Sequence, residues 1–325
     1  MMLAEPRSSG LWHETLTYRD TDEFESAACA FAEEGARAGA AVLVACTGPP
    51  LIRLRSRLNG LRDRVNWTDL ALSWANPGRL ISEISWFAEQ NPGPVWCVQQ
   101  AAWPDRPAET LWEVIRHEAL INLALAGNPA RVLCPYDEAL AAGMLSCARA
   151  THPVIRQDGR SRPNPDFQRA LPPECDRPLS EPPDGAQVMR YRRNLSDVRH
   201  LVSLRSHTAG LPPGRCGDLL IAIGELTANT LDHTTGSGTL TVWETSDEII
   251  CQVHDNGHIT DPLVGRLRPD PGAETRGRGL WLVHQLCDLV QTRTGPAGTT
   301  TRVHMRLPRL AARPGRSAIT GRVRP

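Results

Sequence analysis

The sequence predicts two domains in tandem: an α/β domain with a mostly parallel sheet, then an α+β domain with helices on one face of a largely antiparallel sheet. Three observations predict this. Over roughly the first 150 residues, five short apolar segments alternate with amphipathic ones, the pattern of a doubly wound sheet. A stretch with eight prolines, Pro153 to Pro183, then breaks the pattern. Beyond it the order becomes strand, two helices, strand pair, helix, strand pair.

In the first domain the expected strands are Glu14–Tyr18, Ala41–Cys46, Val65–Asp69, Val95–Gln99 and Arg131–Cys134. The expected helices are Glu23–Ala38, Leu51–Leu61, Arg79–Gln90, Ala108–Leu125 and Glu138–Arg149. The run AAVLVAC is apolar throughout, as a strand covered on both faces must be. Leu111, Val114, Ile115, Ala119 and Leu120 recur at helical spacing.

Proline fixes φ and removes a backbone donor. The proline-rich stretch is therefore expected to hold neither a helix nor an inner strand, and residues 156–186 read as a linker between domains at 11–155 and 187–308. Residues 309–325 carry five Arg with Gly and Pro and read as a basic flexible tail.

In the second domain Val188–Tyr191 reads as a strand. A helix over Asp197–Thr208 follows, with Ser196 as N-cap and Gly210 as its stop. A second helix is expected over Asp218–His233, and strands over Thr239–Glu244 and Ile249–His254. A helix over Leu280–Cys287 then precedes strands at Leu289–Thr294 and Thr300–Leu307.

Composition narrows the function. The 325 residues have zero formal net charge, so no overall field favours nucleic acid or an anionic membrane. No apolar run approaches the ~20 residues that span a bilayer, and the first residues lack a signal-peptide layout. A cytoplasmic protein is expected. All 36 basic residues are Arg, which excludes a Walker-A lysine, a Schiff-base lysine and a strand-borne kinase lysine. Phosphates would be met by Arg, backbone N–H groups and a metal. The nine cysteines contain no C-x-x-C pair and no zinc-motif spacing, and they predict buried small hydrophobes rather than a disulfide framework.

Three segments of the second domain carry candidate chemistry. In IAIGELTANTLDHT, Glu225, Asn229 and His233 stand at i, i+4 and i+8, one face of a helix, opposite Leu219, Ile223 and Leu226. An amide oxygen suits Mg²⁺, and a carboxylate one turn away suits a general base. A solvated polar stripe gives the same pattern. In IICQVHDNGHIT, an apolar strand delivers Asp255, with Gly257 two residues on. The carboxylate suits an adenine amino group, and an Asx-type turn is the alternative. In RGRGLWLVHQLCDLV, Gly277 and Gly279 precede a helix whose free N–H groups suit an anion, with Arg276 and Arg278 adding charge and Leu280 opening the helix. Thr299 follows at a strand start, where its hydroxyl reaches a purine-sized ligand.

In this order and spacing the segments resemble the N and glycine boxes of the GHKL (Bergerat) ATPases, a group that includes gyrase, MutL and histidine kinases. The resemblance implies ATP and Mg as cofactors. It makes Glu225 the base and Asn229 the Mg²⁺ ligand, Asp255 with Gly257 the adenine contact, and Arg276, Gly277, Arg278, Gly279 and Leu280 the lid region. With about 120 residues and no large insertion, the domain is most similar to the RsbW-type anti-sigma-factor serine kinases, in which it binds a sigma factor and phosphorylates a STAS-type anti-anti-sigma partner. Such domains are often dimeric, and a homodimer is an expectation of the same kind. The chain departs from the pattern at Ile259, where a second glycine is usual; a side chain there narrows the pocket or alters the lid hinge.

The first domain carries ANPGRLI (Ala75–Ile81), WPDRP (Trp103–Pro107), IRHEALIN (Ile115–Asn122), CPYD (Cys134–Asp137) and THP (Thr151–Pro153). This set resembles the MEDS sensory domain of DcmR-like proteins, which implies a RecA-like sheet and a small-molecule or protein signal. The turn after Cys46 reads TGPPLI, without a P-loop. Trp103, Arg106, His117, Glu118, Asn122, Cys134 and Asp137 either line a signal pocket or fix loops and caps. The pairing resembles RsbA-family anti-sigma regulators. Its alternatives are a non-catalytic nucleotide-dependent binding module, and an atypical sensor histidine kinase, against which only the single helix holding His200 and His207 precedes the N box, without room for a dimerising helical hairpin.

Overall fold

The computed structural model describes residues 10–70, 76–193, 195–269 and 278–308. All five predicted strands of the first domain form: β1 (Trp12–Tyr18), β2 (Ala41–Cys46), β3 (Val65–Asp69), β4 (Val95–Gln99) and β5 (Ala130–Asp137). Their helices are α1 (Thr21–Arg37), α2 (Gly48–Arg57), α3 (Gly78–Gln90), α4 (Ala108–Ala124) and α5 (Ala142–Thr151). The strands lie in the order β3-β2-β4-β5-β1, all parallel. Side chains alternate between the two faces of a strand, and each face has its own core. Leu43, Cys97 and Val132 pack under α3, α4 and α5, while Val42, Val44 and Leu133 pack under α1 and α2.

Two helices start elsewhere than expected. Pro49 and Pro50 sit inside the first turn of α2, where a missing N–H costs nothing. In front of α5, Asp137 Oδ1 accepts from the Ala139 N–H at 2.8 Å, so residues 138–141 are a turn. Asp137 therefore shapes a turn and does not cap the helix.

Part of the expected linker belongs to the first domain. Val154–Gln157 (β6) and Arg160–Pro163 (β7) form a hairpin on the first sheet, β6 parallel to β1 and antiparallel to β7. Prolines flank β6 instead of interrupting it, and Pro163 closes an edge strand, where a missing donor is tolerated. Further on, Cys175 is joined to Cys147 of α5 by a disulfide, contrary to the cysteine reading, while the other seven cysteines are buried and free. Asp176 pairs with Arg116 of α4, Arg177 stacks over Trp112 at 4.0 Å, and Ser180 accepts from Arg302 at 3.1 Å. The segment is bound to both domains.

The second domain holds β8 (Gln187–Tyr191), α6 (Ser196–Thr208), α7 (Pro213–His233), β9 (Gly238–Glu244), β10 (Glu248–Asp255), α8 (Gly279–Leu286), β11 (Leu289–Gly295) and β12 (Gly298–Arg306). The sheet runs β11-β12-β10-β9-β8, every pairing antiparallel. Val198, Leu219, Ile223, Leu226 and Val283 of the helices bury against Leu240, Cys251 and Val303 of the strands. Gly210 ends α6 at φ +81°, as expected, but Ser196 is inside the helix and Leu195 occupies the cap. α7 begins five residues earlier than expected because Pro213, free of the need to donate, fits its first turn.

Candidate nucleotide site

α7 presents Glu225 and Asn229 one turn apart because its other face is committed to the core through Leu219, Ile223 and Leu226. β10 delivers Asp255 at the rim of the sheet, across a cavity of about 470 Å³. That size suits a small ligand. Leu226, Val253, Ile259, Val264 and Leu280 give the cavity an apolar floor, and Asn229, Asp255, Thr299 and Thr301 add polar groups.

Asp255 is held from two sides. Its Oδ2 accepts from Thr230 Oγ1 at 2.7 Å, and its Oδ1 accepts from the Gly257 N–H at 2.8 Å. Thr230 is fully buried and in turn accepts from Tyr191 Oη at 2.8 Å. Burial pushes that phenol up to about 12, so it stays a donor. The Asx turn and the ligand contact, alternatives in the sequence, are thus compatible: the turn aims the carboxylate, which keeps further lone pairs. Gly298, at φ +114°, brings β12 so close that a Cβ would overlap the Asp255 carbonyl oxygen. Thr299 Oγ1 then donates to the Gly257 carbonyl at 2.9 Å and closes this end of the cavity.

The opposite end is formed by α8. A Cβ at Gly279 would lie 2.5 Å from Glu225 Oε2, so the start of α8 abuts the carboxylate. Gly279 is the first residue of the helix rather than a residue before it, and Arg278 is its N-cap. Arg276 and Gly277 lie outside the described residues. Asp255, Gly257, Asn229, Gly279, Leu280 and Thr299 all line the one cavity, and Glu225 borders it through Gly279. His233, the third residue of the stripe, also lines it but is exposed. Thr230 and Tyr191 were not predicted, and no spacing rule marks them. Ile259 lines the wall, and its N–H donates to Thr294 Oγ1 at 3.3 Å.

The residues fit a nucleotide. An aimed carboxylate stands above an apolar slot at one end. A helix start, an amide and a second carboxylate stand at the other, the layout that base, metal and phosphates require.

The motif residues of the first domain divide between its own interior and its contact with the second domain. Cys134 is buried in mid-strand. Arg106 is buried beside Trp103 at 4.5 Å and donates to the Ala101 carbonyl. α4 divides its polar residues: Glu118 and Asn122 point into the first domain, while His117 accepts from Arg266 of the second at 3.3 Å. Asn76, from the first motif, donates to the His284 carbonyl of α8 at 2.9 Å, and Arg79 donates to the His284 and Gln285 carbonyls. Trp281 Nε1 donates to Ser82 Oγ at 3.2 Å. α8, which opens at this cavity, is therefore held by the first domain through Trp281, His284 and Gln285. A second cavity of about 290 Å³ between the domains shares Ile259, Thr260, Val264 and Leu280 with the first.

Gly78 permits this docking, since a Cβ there would fall inside the His284 imidazole. Gly78→Ala is expected to weaken docking by about 1–3 kcal/mol, the usual cost of overpacking. Calorimetry should then separate one unfolding transition into two, and an unchanged trace would remove this contact from the interface. Docking should also depend on pH. Burial, with Arg266 and Arg79 alongside, holds His284 well below the ordinary imidazole value. The docked state is thus neutral, and an undocked His284 takes up a proton below pH ~6.5. Docking is complete above that value and weakens as pH falls, by up to about 1.4 kcal/mol per unit. A pH series on wild type and His284→Gln checks this, the variant giving the flatter profile.

By fold, the chain joins an α/β domain to an α+β domain like that of the histidine kinase-type ATPases. Residues 12–153 match the family model of the MEDS domain, the methanogen/methylotroph DcmR sensory domain, and residues 190–305 match that of the histidine kinase-like ATPase domain. No curated protein matches the chain. Among the described residues no helix is long and apolar enough to cross a membrane.

Proposed function

We propose that this protein is a cytoplasmic signalling regulator in which the first domain senses a small-molecule or protein signal and controls an ATP/Mg²⁺-dependent serine/threonine kinase. Its substrate is a STAS-type anti-anti-sigma partner, and its second partner is a sigma factor that it sequesters. The observation that carries the reading is the meeting of Glu225, Asn229 and the start of α8 at one end of a cavity whose other end is Asp255.

When bound, Mg·ATP supplies the phosphoryl group and neutralises its charge. Asn229 offers an amide oxygen to the metal. Glu225 accepts the proton of the substrate hydroxyl as its oxygen forms the new bond to phosphorus and ADP leaves. The N–H groups opening α8 favour negative charge beside them. Control by the first domain rests on its grip on α8 and Arg266. A signal that alters docking moves the helix that meets Glu225.

One observation favours a second reading. Ile259 stands in the cavity wall where a glycine is usual, which suits a module using nucleotide only to shape a partner surface. Incubation with radiolabelled ATP and candidate partners separates the readings. Acid-stable phosphate on a partner supports the kinase, and acid-labile phosphate on the chain itself supports a histidine kinase. Capture of a sigma factor without transfer leaves the binding module.

A further inference from the structure

We propose that His13, Glu118, Cys134 and His152 form a closed four-ligand site for a divalent cation of the zinc class, inside the first domain. The four side chains come from β1, α4, β5 and the residue after α5, and all are buried. His13 Nε2 lies 3.0 Å from Glu118 Oε2 and 3.3 Å from Cys134 Sγ. Cys134 Sγ lies 3.3 Å from Glu118 Oε2, and His152 Nε2 lies 3.7 Å from that oxygen. Metal–ligand bonds of ~2.0–2.3 Å in a tetrahedron place the ligand atoms roughly 3.3–3.8 Å apart; these four distances run from 3.0 to 3.7 Å, and all the ligand atoms lie within 4.8 Å of one another.

The hydrogen bonds around the cluster decide which ring nitrogens face inward as lone pairs. Asn122 uses its amide N–H groups on the Thr151 carbonyl and its own helix, so its Oδ1 must accept from His13 Nδ1, at 3.1 Å. His152 Nδ1 donates to the Ala148 carbonyl at 2.6 Å. Both Nε2 atoms are therefore acceptors, turned toward a carboxylate oxygen and a sulfur. Metal-bound histidines are normally held by this kind of outward N–H bond. Gln99 Nε2 donates to both Glu118 Oε2 at 3.0 Å and Cys134 Sγ at 3.2 Å, as a group steadying two anionic ligands does. Independently of this clustering, His152 Nε2 is fully buried and has no hydrogen-bond partner among the described residues. Buried acceptors are normally met, and a cation satisfies this one together with the other three.

Two imidazoles, a thiolate and a carboxylate select a borderline metal over Mg²⁺ or Ca²⁺, and four protein ligands leave no open position. The test is elemental analysis of the full chain purified without chelator, where one equivalent of a transition metal or zinc is expected. The chelator-stripped chain titrated with Co²⁺ should develop a thiolate-to-cobalt charge-transfer band that saturates at one equivalent and is abolished by Zn²⁺. Cys134→Ser should lose the band, and Cys97→Ser, on the neighbouring strand, should keep it. Metal-free wild type that also gives no band with Co²⁺ overturns the proposal without reference to any variant. A band that survives Cys134→Ser overturns it too.

Discussion

Glu225→Gln lowers phosphotransfer to the partner by ~10²–10⁴-fold, the range for losing a general base, with Mg·ATP binding nearly intact. The amide keeps the shape of the carboxylate against Gly279 but cannot take a hydroxyl proton. Asn229→Ala gives the opposite pattern, weakening metal-dependent binding, because it removes an oxygen ligand from the same helix face. Partner capture survives in Glu225→Gln, since it depends on surface shape. Measuring transfer, nucleotide affinity and partner capture on the same preparations checks all three. Unchanged transfer in Glu225→Gln would falsify the assignment of the base.

Asp255→Asn reduces nucleotide affinity by ~10²-fold or more, the scale on which a site built around one polar contact rejects a mismatched group. The fold tolerates the change. The amide oxygen of the substituted side chain can still accept from the Gly257 N–H, and Thr230 can turn its hydroxyl to the Leu226 carbonyl, 3.2 Å away. What is lost is the second anionic acceptor, now an N–H group facing an adenine amino group. Calorimetry on the full chain, with circular dichroism to verify folding, reads the effect; equal affinity in the two proteins removes Asp255 from the site.

Much of the second domain was legible because its signals are local. Helical spacing placed Glu225 and Asn229 on the face opposite Leu219, Ile223 and Leu226, and the core contacts agree. The strand ending in Asp255 and the helix containing Leu280 were likewise readable from apolar runs bounded by glycines. The starts of α2, α5 and α7 were not, because proline fits a first helical turn and Asp137 had a turn to make instead of a cap. The eight prolines between Pro153 and Pro183 do not exclude β6, because none lies within that strand.

The sequence by itself determined the two-domain order, the fold class of each domain and the helix and strand positions that bring Asn229, Asp255, Gly279 and Thr299 to one cavity. Each depends on periodicity or on side chains a few positions apart. Only the tertiary structure decided what Asn76, Gly78, His117 and His152 do. Asn76 and Gly78 meet a helix more than 200 residues away, with Asn76 bonded to His284. α4 turns His117 toward Arg266 but Glu118 toward His13, neighbours in sequence facing different domains. A helix rotates successive residues by ~100°, so adjacency in the chain says nothing about which partner each will meet, and those partners are set by packing between distant segments.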